Sequence, residues 1–146
     1  MTNPDYEAYF TIEAKQKDVF KTINNVSKWW TENMKGSSQN LHDEFTVQFG
    51  DTHYSKQRLV ELVPDQKIVW LVIESKLNFL EDKEEWNNTT ISFELAQQND
   101  KTALKFKHIG LNSSVECYEK CVQGWDHFIN GSLFQLLTEG KGNPAK

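Results

Sequence analysis

Between Ser113 and Thr138, apolar residues recur at steps of three and four: Tyr118, Cys121, Val122, Trp125, Phe128, Ile129, Leu133 and Leu136. That is the period of an amphipathic helix, and Glu119, Gln123, Asp126, His127 and Asn130 fill the opposite face. Ser113 and Glu116 have the spacing of a capping box. Gly140 suits the C-terminal cap, and Gly142 and Pro144 oppose any resumption. The pattern predicts one helix from Ser113 to Thr138, roughly 36 to 39 Å long at about 1.5 Å per residue. On a wheel of about 100° per residue, Gly124 and Gly131 share one flank of the apolar stripe. Their reading is close approach to another backbone, with room for a ligand as the alternative. Ser132, near the centre of the stripe, is expected to bond back to the carbonyl four residues earlier. Phe134 falls opposite Trp125 and is expected to face outward.

The rest of the chain changes period several times. Ala8, Phe10 and Ile12 alternate with Glu7, Tyr9, Thr11 and Glu13, which predicts a half-buried strand. Lys15 to Asn24 carries Val19, Phe20 and Ile23 at helical spacing, and a second short helix is expected around Val26 to Glu32. Gly36 to Asn40 reads as a loop. Phe45, Val47 and Phe49 then alternate with Thr46 and Gln48. Tyr54 to Val63 is the next strand, but its two faces do not separate. Lys67 to Ser75 contains the apolar run Ile68 to Ile73, as in a strand covered on both faces. Leu77 to Asn88 is a long connection containing Trp86. Ile91, Phe93 and Leu95 form one alternating strand, and Leu104, Phe106 and His108 another. The order is strand, two short helices, about five strands and one long helix. Hairpin-length connections imply a curved, mostly antiparallel sheet whose apolar face grips the last helix, an α+β architecture in a single domain, 1–146.

Composition narrows the function classes. A formal net charge of -5 opposes a nucleic-acid partner, because phosphate neutralisation dominates such affinity. The single arginine, Arg58, opposes a phosphate clamp. No apolar run approaches the roughly 20 residues of a membrane span, and Met1 to Tyr6 lacks the regions of a signal peptide, so a cytoplasmic protein is expected. Cys117 and Cys121, four apart on one helix, have poor disulfide geometry and fit a reducing compartment.

Several stretches carry a family likeness: Lys28-Trp29-Trp30-Thr31, Glu61-Leu62-Val63-Pro64 followed by Ile68-Val69-Trp70, and Glu85-Trp86-Asn87. Gly124-Trp125 and Leu136-Leu137-Thr138-Glu139-Gly140-Lys141-Gly142 complete them. In these the chain resembles the SRPBCC superfamily, the START-like or birch-pollen-allergen helix-grip fold. More narrowly it resembles the bacterial relatives of the activator of the heat-shock-protein-90 ATPase. The resemblance implies a helix-grip fold and a cavity between sheet and helix. It also implies a possible chaperone contact or homodimer, although nothing here corresponds to the N-terminal chaperone-binding domain of the eukaryotic co-chaperone.

No phosphate-binding glycine loop, nucleophile elbow or metal-ligand spacing is present, so no catalytic residue, metal or cofactor is expected. The candidate ligand-binding residues are Phe45, Phe49, Trp70, Phe106, His108, Tyr118, Cys121, Trp125 and Phe128, rings and small groups that would line a cavity between sheet and helix. His108 shares the apolar face of Leu104 and Phe106. It is either a neutral core histidine or a polar group orienting a ligand. Arg58 points inward if Val60 and Leu62 do, and could then anchor a carboxylate; if Leu59 and Val63 face inward it is a surface cation. The expected function is binding of a small apolar or amphipathic molecule. A co-chaperone-like interaction module, motivated by Phe134, is the alternative, and an enzyme using His108 and Tyr118 as an acid–base pair is a second.

Overall fold

Seven antiparallel strands in the order β1-β7-β6-β5-β4-β3-β2 form one sheet in the computed structural model, which describes residues 4–81 and 83–145. The expectation made over Met1–Asn3 lies outside those residues. The strands are β1 (Tyr6–Ile12), β2 (Met34–Gly36), β3 (Glu44–Phe49), β4 (His53–Val63), β5 (Lys67–Leu77), β6 (Thr90–Gln98) and β7 (Lys101–Ile109). Helix α1 (Gln16–Asn24) and a single 3-10 turn (Val26–Lys28) follow β1. The expected helix over Val26 to Glu32 is thus only this turn, and β2 (Met34–Gly36) is a short strand that the sequence pattern does not predict. The helix-grip α+β fold expected from the sequence is the fold found.

The long helix occupies residues 118–139 and lies across the concave face of the sheet. It starts later than the spacing of Ser113 and Glu116 predicts. The backbone N–H groups of Glu116 and Cys117 donate to the Glu85 carboxylate at 2.9 and 2.8 Å, while the Glu116 carboxylate accepts from the N–H of Glu81. A carboxylate from the β5–β6 connection therefore holds the two residues that lead into the helix, whose N-cap residue, Cys117, makes no side-chain capping bond. At the other end Gly140 adopts φ 79° and donates to Leu136 O, as expected of a left-handed cap.

The middle of this helix, Asp126–Leu133, is π-helical. Its wider turn advances each residue by less than an α-helix does, so positions beyond it rotate away from the α-helical wheel. Phe134 accordingly does not face outward: its ring meets Phe10 of β1 edge-on at 5.2 Å. Ser132 does not bond back within the helix. Its hydroxyl donates to Trp29 O at 2.7 Å and accepts from Asn143 N–H at 2.7 Å, fastening the 3-10 turn and the C-terminal tail to the helix.

The glycine expectation is also corrected. A Cβ on Gly124 would meet nothing within 4 Å, and one on Gly131 only Asp126 O at 3.9 Å. Close approach to another backbone is therefore found at neither position. Close approach occurs instead at Gly142, where a Cβ would lie 2.5 Å from Lys28 O and 3.2 Å from Ser132 O. Both obstacles are backbone. Gly142→Ala should therefore lower stability by about 1 to 3 kcal/mol, an overpacking cost, measured as a drop in the urea midpoint; an unchanged midpoint would mean that the tail is free to move away.

The convex face of the sheet is solvated and laced with exposed ion pairs such as Glu7 with Lys105 and Lys107, and Glu94 with Lys67. Arg58 belongs to this face. Its Nε donates to Glu44 Oε2 at 2.8 Å, a surface pair on neighbouring strands. The inward option for Arg58 is excluded because β4 buries His53, Ser55, Gln57 and Leu59.

Candidate functional site

All five tryptophans converge under the helix. Trp29, Trp30 and Trp70 stack in near-parallel planes, Trp30 and Trp70 at 5.9 Å and 1°. Trp125, from the helix, touches Trp30 at 5.0 Å and stacks on Trp86 at 5.8 Å. Beside this cluster the packing stops and leaves a cavity of about 300 Å³. The β3–β4 hairpin contributes Phe49, Thr52 and His53 to its wall; the β5–β6 connection contributes Phe79 and Trp86. The first half of the long helix adds Lys120, Cys121, Gly124, Trp125 and Phe128, and Trp30 completes it. Gly124 is the reason the helix leaves space there: no side chain fills the position. Gly124 thus provides open space and not close approach to another backbone. Lys120 holds its ammonium 5.4 Å from the centre of the Phe79 ring.

Of the residues expected from sequence, Phe49, Cys121, Trp125 and Phe128 line this cavity. Phe45, Trp70 and Phe106 are packed behind it. Phe45 lies edge-on to Trp70 at 5.0 Å, and Phe106 touches Trp125 at 4.8 Å. Tyr118 is half-buried at the start of the helix and does not line the cavity. Trp30, Thr52, His53, Phe79, Trp86 and Lys120 were not among the expected residues. The signal for His53 was present: Tyr54, Lys56 and Arg58 share one parity and suit solvent, which leaves His53, Ser55 and Gln57 pointing inward.

His108 is buried behind the tryptophans with both ring nitrogens engaged. Trp125 Nε1–H donates to Nδ1 at 3.0 Å, so the ring proton sits on Nε2 and donates to Thr89 Oγ1 at 2.9 Å. Thr89 Oγ1–H in turn donates a hydrogen bond to Trp86 O at 2.7 Å. Burial pushes the imidazole down to about 3, which keeps it neutral. This ring locks Trp125 and Trp86 in place. It has no free nitrogen with which to exchange a proton with Tyr118, so the acid–base pair has no geometry to act through. Among the described residues no group of three or more His, Cys, Asp and Glu side chains could hold a metal ion.

Cys117 and Cys121 are paired as a disulfide, with Cα atoms 5.6 Å apart. This corrects the expectation of free thiols. Cys117 is the N-cap residue, with φ -80° and ψ -2°, and Cys121 lies one turn on, its N–H bonded to Cys117 O at 2.8 Å. The pairing removes the cysteine argument for a reducing compartment. Among the described residues no helix is long and apolar enough to cross a membrane.

Comparison with solved structures places this architecture among known ones. The Aha1 dimer from Colwellia psychrerythraea, solved in solution, is 23% identical, with a TM-score of 0.75 over 97% of this chain and 100% of that one. The protein SSP2350 from Staphylococcus saprophyticus is 10% identical, with a TM-score of 0.67 over 97% and 98% of the two chains. DynU16, from the dynemicin biosynthetic locus, is 16% identical with a TM-score of 0.67 over 95% of this chain; the match spans 49% of DynU16. At these identities the likeness is one of fold. No curated protein sequence matches the chain. A family model matches residues 13–138, most of its length, and the chain belongs to that family, the Activator of Hsp90 ATPase homolog 1-like proteins.

Proposed function

We propose that this protein binds a small apolar or amphipathic molecule in the cavity between the β3–β4 hairpin and the first half of the long helix. The observation that carries this reading is the cavity itself, about 300 Å³ of space walled mainly by aromatic rings. Small-molecule pockets begin near about 300 Å³, so the occupant is small. Lys120 suits the polar end of an amphipathic ligand, with its stem along the apolar wall and its ammonium beside Phe79.

Gly124→Leu tests this without damaging the fold. The new side chain enters the cavity, where nothing lies within 4 Å of the Cβ position. Replacing an interior helical glycine favours the helix by up to about 1 kcal/mol. The thermal midpoint should hold or rise while saturable binding of the neutral fluorophore N-phenyl-1-naphthylamine, present in the wild type, disappears. Equal binding by both proteins would put the probe elsewhere and sink the reading.

The family match favours a second reading, a co-chaperone-like interaction module that, like the Colwellia relative, is a dimer. Phe134 no longer motivates it, since that ring packs on Phe10. Stimulation of a purified Hsp90-type ATPase, together with a native mass near twice 17.0 kDa, would support it. A monomer without stimulation would remove it.

A further inference from the structure

The β5–β6 connection gives Phe79 and Trp86 to the cavity wall, yet its described residues form neither strand nor helix. It is fastened instead to the start of the long helix. The Glu85 carboxylate, next to Trp86, accepts the N–H groups of Glu116 and Cys117 at 2.9 and 2.8 Å. In return the Glu116 carboxylate accepts the Glu81 N–H at 3.1 and 3.2 Å. The Lys120 ammonium lies 5.4 Å from the centre of the Phe79 ring. These ties land on residues 116, 117 and 120, and the Cys117–Cys121 disulfide closes over that same turn.

Each tie is weak alone. The bonds of Glu81 and Glu116 are exposed to solvent, and such a bond adds little net stability. A helix end without a side-chain cap opens locally at small cost, and Cys117, the N-cap residue, makes no such bond. The disulfide adds a covalent constraint to this turn. It joins Cys121, a residue of the cavity wall, to Cys117, which is buried and outside that wall. Closed, it limits the states open to the turn and keeps the backbone donors and the ammonium where the connection grips them.

We infer that the Cys117–Cys121 disulfide is a redox switch on the cavity: closed, it holds the helix turn that fastens the Phe79 and Trp86 wall; opened by a dithiol, it releases that turn and weakens binding. This rests on the ligand-binding reading of the cavity. In the opening step one thiolate of the dithiol attacks a cysteine sulfur, the S–S bond breaks, and the other cysteine leaves as a thiolate. The second thiol then closes the reductant's own disulfide and releases the first cysteine. Two electrons pass from the dithiol to the pair, and the two protons that the dithiol gives up return to the cysteines through solvent.

The probe is N-phenyl-1-naphthylamine, titrated into the oxidised protein and into the same protein held in dithiothreitol. Reduction should weaken its binding about fivefold or more, the scale of an ordinary coupling between two sites. Linkage requires the converse. Fluorophore that saturates both forms should move the half-reduction point, in a series of reduced and oxidised dithiothreitol, toward more reducing conditions by the same factor. Thiols are counted by alkylation and intact mass. Cys117→Ser, altered outside the cavity wall, should bind like the reduced wild type and ignore dithiothreitol. Amide exchange should quicken on reduction at Glu81, Glu116 and Cys117 and stay unchanged at Phe93 and Phe106 in the sheet. Equal affinities of oxidised and reduced wild type, a half-reduction point indifferent to the fluorophore, or a Cys117→Ser protein that binds like the oxidised wild type would each overturn the inference. So would unfolding of the whole protein on reduction, or two alkylatable thiols that persist under glutathione disulfide. All of these leave the cavity a binding site. If the serine variant does not fold, the wild-type arms decide alone. Failure of the fluorophore to bind the oxidised protein would remove the binding reading, and this inference with it.

Discussion

Trp125→Ala should cost about 3 to 5 kcal/mol, the range for truncating a core aromatic, and should also change what the cavity accepts. The indole is almost wholly buried and meets Trp30, Phe106 and Trp86 at 5.0, 4.8 and 5.8 Å. It is at once a wall of the cavity and the donor that fixes His108. Truncation joins the lost ring volume to the existing space and leaves His108 Nδ1 without its donor. Trp125→Phe separates these effects. It keeps most of the ring and removes only the N–H, so its cost should be nearer the 1 to 3 kcal/mol of an unsatisfied buried acceptor, as a rough guide. Urea unfolding followed by far-ultraviolet dichroism measures both costs. Probe titration of the folded variants should show the alanine protein accepting larger ligands than the wild type. An alanine variant that loses less than about 1 kcal/mol would fall outside any large-to-small core substitution, and would show that the ring is not the wall described here.

The features legible in the sequence are those set by hydrophobic period. Strands β1, β3, β6 and β7 and the long helix each bury one clean stripe, and Trp125, Cys121 and Phe128 follow from the helical stripe directly. Reading failed where a tertiary partner replaced a local one. The Ser113 and Glu116 pattern has the spacing of a capping box, yet the helix begins only at Tyr118 and the Glu116 N–H donates to a carboxylate 31 residues earlier. Gly142 lies in the tail, and nothing local marks it as the residue pressed against Lys28 O. The π-helical turn rotated Phe134 away from its α-helical position, and no wheel of fixed angle contains that shift. The cavity wall was harder still, because there the usual rule is inverted. On β4 the buried face is the polar one, His53, Ser55 and Gln57, so alternation that is regular in the structure looked confused in the sequence. Phe79 and Trp86 come from a connection without any period, and only the packing of that connection against the helix start reveals them.

Acidification should unfold this protein well above the pH at which its surface carboxylates alone would matter. His53 and His108 are both pushed from 6.5 to about 3 by burial. In the unfolded chain each binds a proton below about pH 6.5, an ordinary imidazole value; in the folded protein neither does until about pH 3. A group whose proton is held more tightly by the unfolded state draws the equilibrium toward unfolding as protons become available. The stability tied to the two neutral rings is therefore present in full above about pH 6.5 and is lost as pH falls toward 3. The slope approaches about 1.4 kcal/mol per pH unit for each histidine, or about 2.7 for the pair. Against a typical stability of roughly 5 to 15 kcal/mol, two units of acidification below the unfolded pKa remove a large share. Asp43 and Glu44, both held below the ordinary carboxylate range by hydrogen bonds, act in the same direction but only at lower pH, and both are solvent-exposed. The expected result is an acid midpoint near pH 4 by tryptophan fluorescence, with all five indoles reporting on one cluster. His53→Phe removes one of the two proton sinks and should shift that midpoint downward by a measurable fraction of a unit, provided its stability at pH 8 is matched by adjusting urea. A protein that stays folded to pH 3, or an imidazole proton-resonance titration giving either histidine an ordinary pKa, would show that the rings are hydrated rather than buried.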